Sequence, residues 1–236
     1  MTPVLSVDAV KKQFGGIVAV DGLDIEIEPG ELVGLIGPNG AGKTTTLNLI
    51  TGFLTPTEGK ISLNGTDITG DSPDSISRRG IGRTFQITKP FGRLSVYENL
   101  LVPNVSCGPT EQEARIDRLL QELHLEEVRE NRADELSGGQ KKLLELARVL
   151  MLEPDLILLD EPAAGINPAL MDDIIDDIKR INKQGTAILV IEHDMSVISE
   201  LCERVVVMNA GRNIASGTFE EIRGDQQVRE AYLGGT

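Results

Sequence analysis

"GPNGAGKT", Gly37 to Thr44, has the residue types and spacing of a phosphate-holding loop. It fits G-x-x-x-x-G-K-[ST], in which glycines let consecutive backbone N–H groups turn inward around phosphate oxygens. On that pattern Gly37, Pro38, Asn39, Gly40, Ala41, Gly42, Lys43, Thr44 and Thr45 form a nucleotide cradle. Lys43 reaches the β- and γ-phosphates and the Thr44 hydroxyl ligates Mg2+. A second constellation, "LILLDEP", ends an apolar run with Asp160 and Glu161. Asp160 suits a Mg2+-bound water, and Glu161 is left to orient or deprotonate an attacking water. The third is "LSGGQKK", Leu136 to Lys142, where two adjacent glycines stand directly before a helical pattern. Glycine is a poor helix former, and no catalytic base, metal cluster or aromatic pocket stands nearby, so what this stretch binds is open from its residues alone. Ser137 is placed to cap the helix. Lys141 and Lys142 read as local positive charge or as part of a solvated face.

The surrounding patterns say what must position these groups. "ELVGLIG" is nearly all apolar or small, as in a strand covered on both sides, and "KTTTLNLITGF" after the loop is helical. This is the strand–loop–helix context that the phosphate motif requires. "LILLD" and "AILVIEH" are two further buried strands. Between them, "MDDIIDDIKRIN" sets Ile174, Ile175, Ile178 and Ile181 on one helical face. Strand–helix–strand succession predicts a parallel sheet with right-handed crossovers. Ligands of such sheets sit beyond the carboxyl ends of the strands, so Asp160 and Glu161 face the phosphate loop if their strand lies close to it.

"VLSVDAV" and "LDIEIEP" alternate like half-exposed antiparallel strands, and "GKISLNGTDIT" adds another with an Asn-Gly turn. "GIGRTFQ" reads as a short strand ending in a polar residue, and "RVVVMNAGRNIASG" as a hairpin turning at Asn209 to Gly211. From Lys89 to Arg148 the period is helical, with Ile116, Leu119, Leu120 and Leu123 on one face. The expectation is one α/β domain over 1–236, with a core in 1–88 and 150–236. Antiparallel strands lie at its amino-terminal edge, and a helical insertion, 89–149, carries "LSGGQ".

Composition narrows the function. The net charge of −14 argues against a nucleic-acid binder, which needs a basic face, so any anion must be held locally. Cys107 and Cys202 have no metal-ligand spacing and imply neither zinc nor a disulfide framework. No apolar run approaches the ~18 to 20 residues that span a bilayer, and the first residues lack the features of a signal peptide. The expected location is therefore cytoplasmic. Of the two histidines, His124 lies in an amphipathic helix and reads as packing, and His193 ends a buried strand.

The phosphate loop, "LSGGQ" and "LILLDEP", in this order, resemble the nucleotide-binding subunit of ATP-binding-cassette (ABC) transporters over essentially the whole chain. The resemblance implies a P-loop NTPase (RecA-like) core, ATP and Mg2+ as ligands, and a head-to-tail dimer with a second copy or with a sister ATPase subunit. In that dimer Leu136, Ser137, Gly138, Gly139 and Gln140 serve the partner's nucleotide. It implies that Gln86 contacts the metal or the attacking water. It also implies that His193 bonds the γ-phosphate and helps fix Glu161, the catalytic carboxylate. Phe14 matches the aromatic that stacks on adenine, with a simple core or loop role as its competitor. Asn167 stands where the family commonly has Asp, which keeps hydrogen bonding but removes a charge between the two sites. "AAGINP", "IEHDM" and "AYLGG" are most similar to branched-chain amino acid importers. That similarity implies membrane permeases facing residues 87–105, a periplasmic solute-binding protein, and a place on the inner face of the membrane. Lipopolysaccharide export and soluble iron–sulfur assembly are the competing roles.

Overall fold

The computed structural model describes residues 2–85, 89–103, 105, 107–165 and 168–233. Alternating apolar residues build an antiparallel ribbon from β1 (Leu5–Phe14) and β2 (Ile17–Ile27), after which the chain turns at Gly30 into β3 (Leu32–Ile36). The phosphate loop then leads into α1 (Lys43–Ile50). Next comes β4 (Glu58–Leu63), which returns through Asn64 and Gly65 into β5 (Thr66–Asp67). Asn64 and Gly65 are both left-handed, at φ 49° and 75°, as a two-residue hairpin of this twist requires. These strands form a four-stranded sheet in the order β2-β1-β4-β5.

Beyond α2 (Pro73–Arg78), the described part of the "GIGRTFQ" stretch, residues 80–85, holds β6 (Ile81–Arg83). The helical region holds α3 (Val96–Leu101), α4 (Pro109–Glu122) and α5 (Gly138–Leu150). Then follow β7 (Leu156–Asp160), α6 (Pro168–Lys183), β8 (Ala187–Ile191), α7 (Met195–Leu201), β9 (Arg204–Asn209) and β10 (Arg212–Gly217). The chain closes with α8 (Phe219–Gly224) and α9 (Gln226–Leu233). The second sheet runs β10-β9-β3-β8-β7-β6, with every pair parallel except β10 on β9.

All five residues of β3, β7 and β8 are buried, which explains why their sequences run apolar without alternation. Their side chains still alternate between two cores. Ile36, Ile157, Leu159, Ile188 and Val190 join the face packed by α4, α5, α6 and α7. Val33, Leu35, Leu158, Leu189 and Ile191 join α1 and the antiparallel sheet. The four isoleucines of α6 and the apolar face of α4 lie in the first core, as their periodicity predicts. β3 and β7 are not neighbours, since β8 lies between them. The loops leaving β3, β7 and β8 nevertheless meet at the carboxyl edge of the sheet, where Lys43, Glu161 and His193 line a common cleft.

Candidate active site

Backbone conformation shapes the phosphate loop. Gly37, Gly40 and Gly42 have φ of 153°, 80° and 105°. A Cβ at Gly37 would sit 2.1 Å from the Met208 carbonyl oxygen, and one at Gly42 would sit 2.6 Å from that of Ala19. Both glycines are thus required twice, by conformation and by space. Gly42 is also the N-cap of α1, so the helix opens into the loop with its positive dipole end. The Lys43 ammonium is nearly buried and donates to the carbonyls of Gly37 (2.6 Å) and Pro38 (3.1 Å). Burial holds its pKa below the usual lysine value, while Glu161 and Asp160 pull it back up. Those two fields place both carboxylates within electrostatic reach of the loop.

A cleft of about 360 Å³ is lined by Ala19, the loop from Asn39 to Thr45, Glu161, Ile191 and His193. Glu161 and His193 touch directly, with Nε2 to Oε1 at 2.8 Å. Glu161 is left-handed at φ 52°, an uncommon conformation for a residue with a side chain. Its N–H donates to the Ile191 carbonyl (2.9 Å), which ties the end of β7 to the end of β8. Asp160, at the last position of β7, is 6% exposed and pairs with Arg83 (Nη2 to Oδ2, 3.2 Å). Burial raises the Asp160 carboxyl above its ordinary range, and the Arg83 guanidinium only partly offsets this.

The "LSGGQ" segment, Leu136 to Gln140 and the signature of the resemblance, stands elsewhere. Ser137 caps α5, accepting from the Gln140 N–H (3.3 Å), while the Gln140 side chain accepts from the Ser137 N–H (3.0 Å). This reciprocal box gives Gln140 a local role that its motif alone does not disclose. Leu136 is buried in the core, and Ser137 and Gly138 are exposed. Ser137, Gly139 and Gln140 line a separate cleft of about 450 Å³ with His124, Leu143, Asp173, Ile174 and Asp177. The two clefts share no lining residue. Phe14 is 46% exposed at the end of β1, under the Lys12 ammonium at 5.1 Å, and does not line the phosphate cleft. Gln86 and Asn167 lie outside the described residues.

Arg83 and Glu192 were not singled out in the sequence, and Lys142 was read there only as local charge or a solvated face, because most of their partners are remote. Arg83 donates to Asn48 (2.7 Å) and Thr51 (3.1 Å) of α1 as well as to Asp160. The Lys142 ammonium is half-buried and donates to the carbonyls of Glu161 (2.9 Å) and Pro162 (2.8 Å). Glu192 is buried and accepts from the N–H groups of Ala163 (2.7 Å) and His193 (3.1 Å). The charge next to "LSGGQ" and before His193 was the available signal, but no spacing rule connects it to these acceptors and donors.

A buried parallel strand, a glycine-shaped phosphate loop on a helix start, and a carboxylate–histidine pair across the cleft define a P-loop nucleotide-binding ATPase core. The ABC transporter family model matches residues 20–164, and the chain belongs to that family as an ATPase subunit. A branched-chain amino acid ATP-binding cassette transporter model matches residues 212–236. The chain is 39% identical to the high-affinity branched-chain amino acid transport ATP-binding protein BraF of Pseudomonas aeruginosa, over 98% of both chains. It is 38% identical to LivG of Escherichia coli, of the same description, again over 98% of each. The lipopolysaccharide export system ATP-binding protein LptB of Haemophilus influenzae is 36% identical over 98% of this chain and 97% of its own. Among solved structures, a nucleotide-free ATP-binding cassette from an ABC transporter superposes with TM-score 0.88 at 34% identity, covering 98% of each chain. A dimeric cassette in a post-hydrolysis state with ADP and Pi superposes with TM-score 0.80 at 27% identity, covering 91% of this chain and 98% of its own.

Proposed function

We propose that this subunit hydrolyses ATP to drive import of branched-chain amino acids, at a site completed by the signature segment of a second cassette. The observation that carries the chemical part is the convergence of Lys43, Glu161 and His193 on the cleft formed by the phosphate loop. The loop N–H groups and Lys43 hold the phosphates. Glu161 accepts the proton of the attacking water, and His193, bonded to its carboxylate, orients it toward the γ-phosphate. The Thr44 hydroxyl and the Asp160 carboxylate are hard oxygen donors, and the desolvation that raises the Asp160 carboxyl is relieved by a cation. Thr44 and Asp160, with Gln86, would hold a Mg2+ ion, which would supply neutralisation of phosphate charge.

Support for a second cassette comes from the signature segment and the phosphate loop lining separate clefts within one chain. A Cβ at Gly138 would meet nothing within 4 Å, so the chain itself does not demand glycine there. A partner's γ-phosphate approaching the exposed N–H groups of α5 supplies the demand. The amino acid cargo is proposed from the likeness to BraF and LivG and from the match at residues 212–236. Recognition of that cargo belongs to membrane permeases and a periplasmic binding protein. Exposed Phe85, Phe91, Leu101 and Val102 supply an apolar face for a permease and set the subunit on the inner membrane surface. No helix among the described residues is long and apolar enough to cross a membrane.

Phosphate release by the wild type and by Glu161→Gln, with uptake of labelled leucine by vesicles holding the subunit and its co-expressed permeases, tests both parts. Full turnover by Glu161→Gln overturns the catalytic assignment. ATP-dependent transport that ignores leucine, isoleucine and valine overturns the cargo.

A further inference from the structure

The segment after β7 is gripped from two sides by side chains outside the phosphate-binding cleft. Lys142, one turn into α5, places its ammonium on the Glu161 and Pro162 carbonyls at 2.9 and 2.8 Å. Glu192, at the end of β8, takes the Ala163 N–H on one oxygen (2.7 Å) and the His193 N–H on the other (3.1 Å). The left-handed Glu161 sits between these grips. Such a conformation persists in a residue with a side chain only where the surroundings enforce it. Lys142 and Glu192 enforce it, each through a charge-assisted bond to backbone.

Neither residue has the environment of a solvated charge. Burial depresses the Lys142 ammonium, and three carboxylates, Glu192, Glu145 and Glu161, offset this only in part. Burial likewise raises the Glu192 carboxyl, opposed by the N–H groups it accepts from. A lysine kept for solubility would not be drawn into a half-buried position against two carbonyls.

The two anchors differ in what they connect. Glu192 joins the segment of Glu161 to that of His193, so it sets the spacing of the pair that meets at 2.8 Å. Lys142 joins the same segment to α5, whose first turn is formed by Gly138, Gly139 and Gln140 under the Ser137 cap. A shift of α5 along its axis of about one ångström, the scale on which catalytic placement fails, would be passed to both carbonyls through the Lys142 ammonium.

We propose that Lys142 and Glu192 are positioning residues that hold the Glu161 carboxylate in place, and that Lys142 makes this depend on the signature helix of the same chain. The inference rests on the reading of Glu161 as the base. Its consequence is a link between two sites. What Ser137 and Gly138 engage on the partner reaches the chain's own base through α5 and one ammonium.

The test uses the full chain carrying Lys142→Met, Lys142→Arg or Glu192→Gln, with phosphate release and binding of a fluorescent ATP analogue measured on each. For Lys142→Met, kcat is expected to fall about 10- to 100-fold, while nucleotide affinity stays within about twofold. Lys142→Arg, which keeps donors and charge, restores most of the rate. Glu192→Gln also lowers kcat, because an amide presents one oxygen and turns its NH2 toward the second N–H donor. A double-variant cycle isolates the route. In single-turnover assays with Glu161→Gln, adding Lys142→Met produces no further loss if Lys142 acts through Glu161. A further tenfold loss there, a weakened nucleotide affinity, or a wild-type kcat for Lys142→Met overturns the proposal. Undiminished turnover by Glu161→Gln alone identifies failure of the underlying base assignment instead.

Discussion

Replacing Arg83 by Met keeps the aliphatic stem and removes the charge that faces Asp160. Both side chains of the pair are 7% exposed. The guanidinium also donates to Asn48 and Thr51, and it stacks 4.9 Å from the centroid of Phe85 and 6.0 Å from that of Phe53. Removing one partner of a buried pair leaves the other charge desolvated, which costs about 3 to 5 kcal/mol. For a chain of this length that corresponds to a fall in Tm of roughly 6 to 20 °C. The assay is urea unfolding at pH 7.5 without nucleotide, followed by circular dichroism. Asp160→Asn in the Arg83→Met background removes the stranded charge and is expected to restore about 1 to 3 kcal/mol. A loss below about 1 kcal/mol for Arg83→Met refutes the reasoning. So does an Asp160→Asn cost that simply adds to that of Arg83→Met, because the pair would then be uncoupled.

Gly42→Ala forces a side chain into a left-handed residue 2.6 Å from the Ala19 carbonyl; it is expected to weaken ATP binding at least tenfold, about 1.4 kcal/mol, by isothermal calorimetry. Asn99 is fully buried and bonds Phe91, Leu94 and Ser95 backbone groups, so Asn99→Ala should cost about 2 to 4 kcal/mol in urea unfolding by leaving those groups unpaired. Burial raises the Glu31 carboxyl, but the bidentate Arg204 pair at 2.6 and 2.9 Å more than offsets it and leaves the pKa below its usual value. A depressed native pKa contributes stability that is present above the unfolded value of about 4.3 and lost as pH falls through the native one. Glu31→Gln should therefore be less stable than wild type at pH 7, with the gap narrowing at pH 3. An equal gap at both pH values contradicts the assignment.

Much of the fold was legible because local chemistry and global position agree. "LVGLI" and "LILLD" are apolar at every or nearly every position because both faces of those strands are covered, glycines at 37 and 42 mark backbone with no room for a side chain, and Gly40 marks a left-handed turn. The Asn64-Gly65 and Asn209 to Gly211 turns follow from φ requirements alone, although Ala210 rather than a glycine takes φ 46° in the second. Strand order was not legible, because periodicity fixes faces and not neighbours, and β8 separates the two strands that carry the site. The roles of Arg83, Lys142 and Glu192 were hidden for a related reason. Apart from the His193 N–H beside Glu192, their partners are backbone groups and side chains 19 to 77 residues away, and a charge such as Lys142 on an amphipathic helix looks the same in sequence whether it meets water or a carbonyl.

The central claim is that one chain holds half of each ATP site. Sedimentation of Glu161→Gln with saturating ATP and Mg2+ measures it most directly. The expected species has twice the 25.5 kDa mass of the chain, reverts on ATP removal, and is lost when Ser137→Arg blocks the signature while ATP affinity persists. A monomer at saturating ATP, or a dimer indifferent to Ser137→Arg, contradicts the composite site.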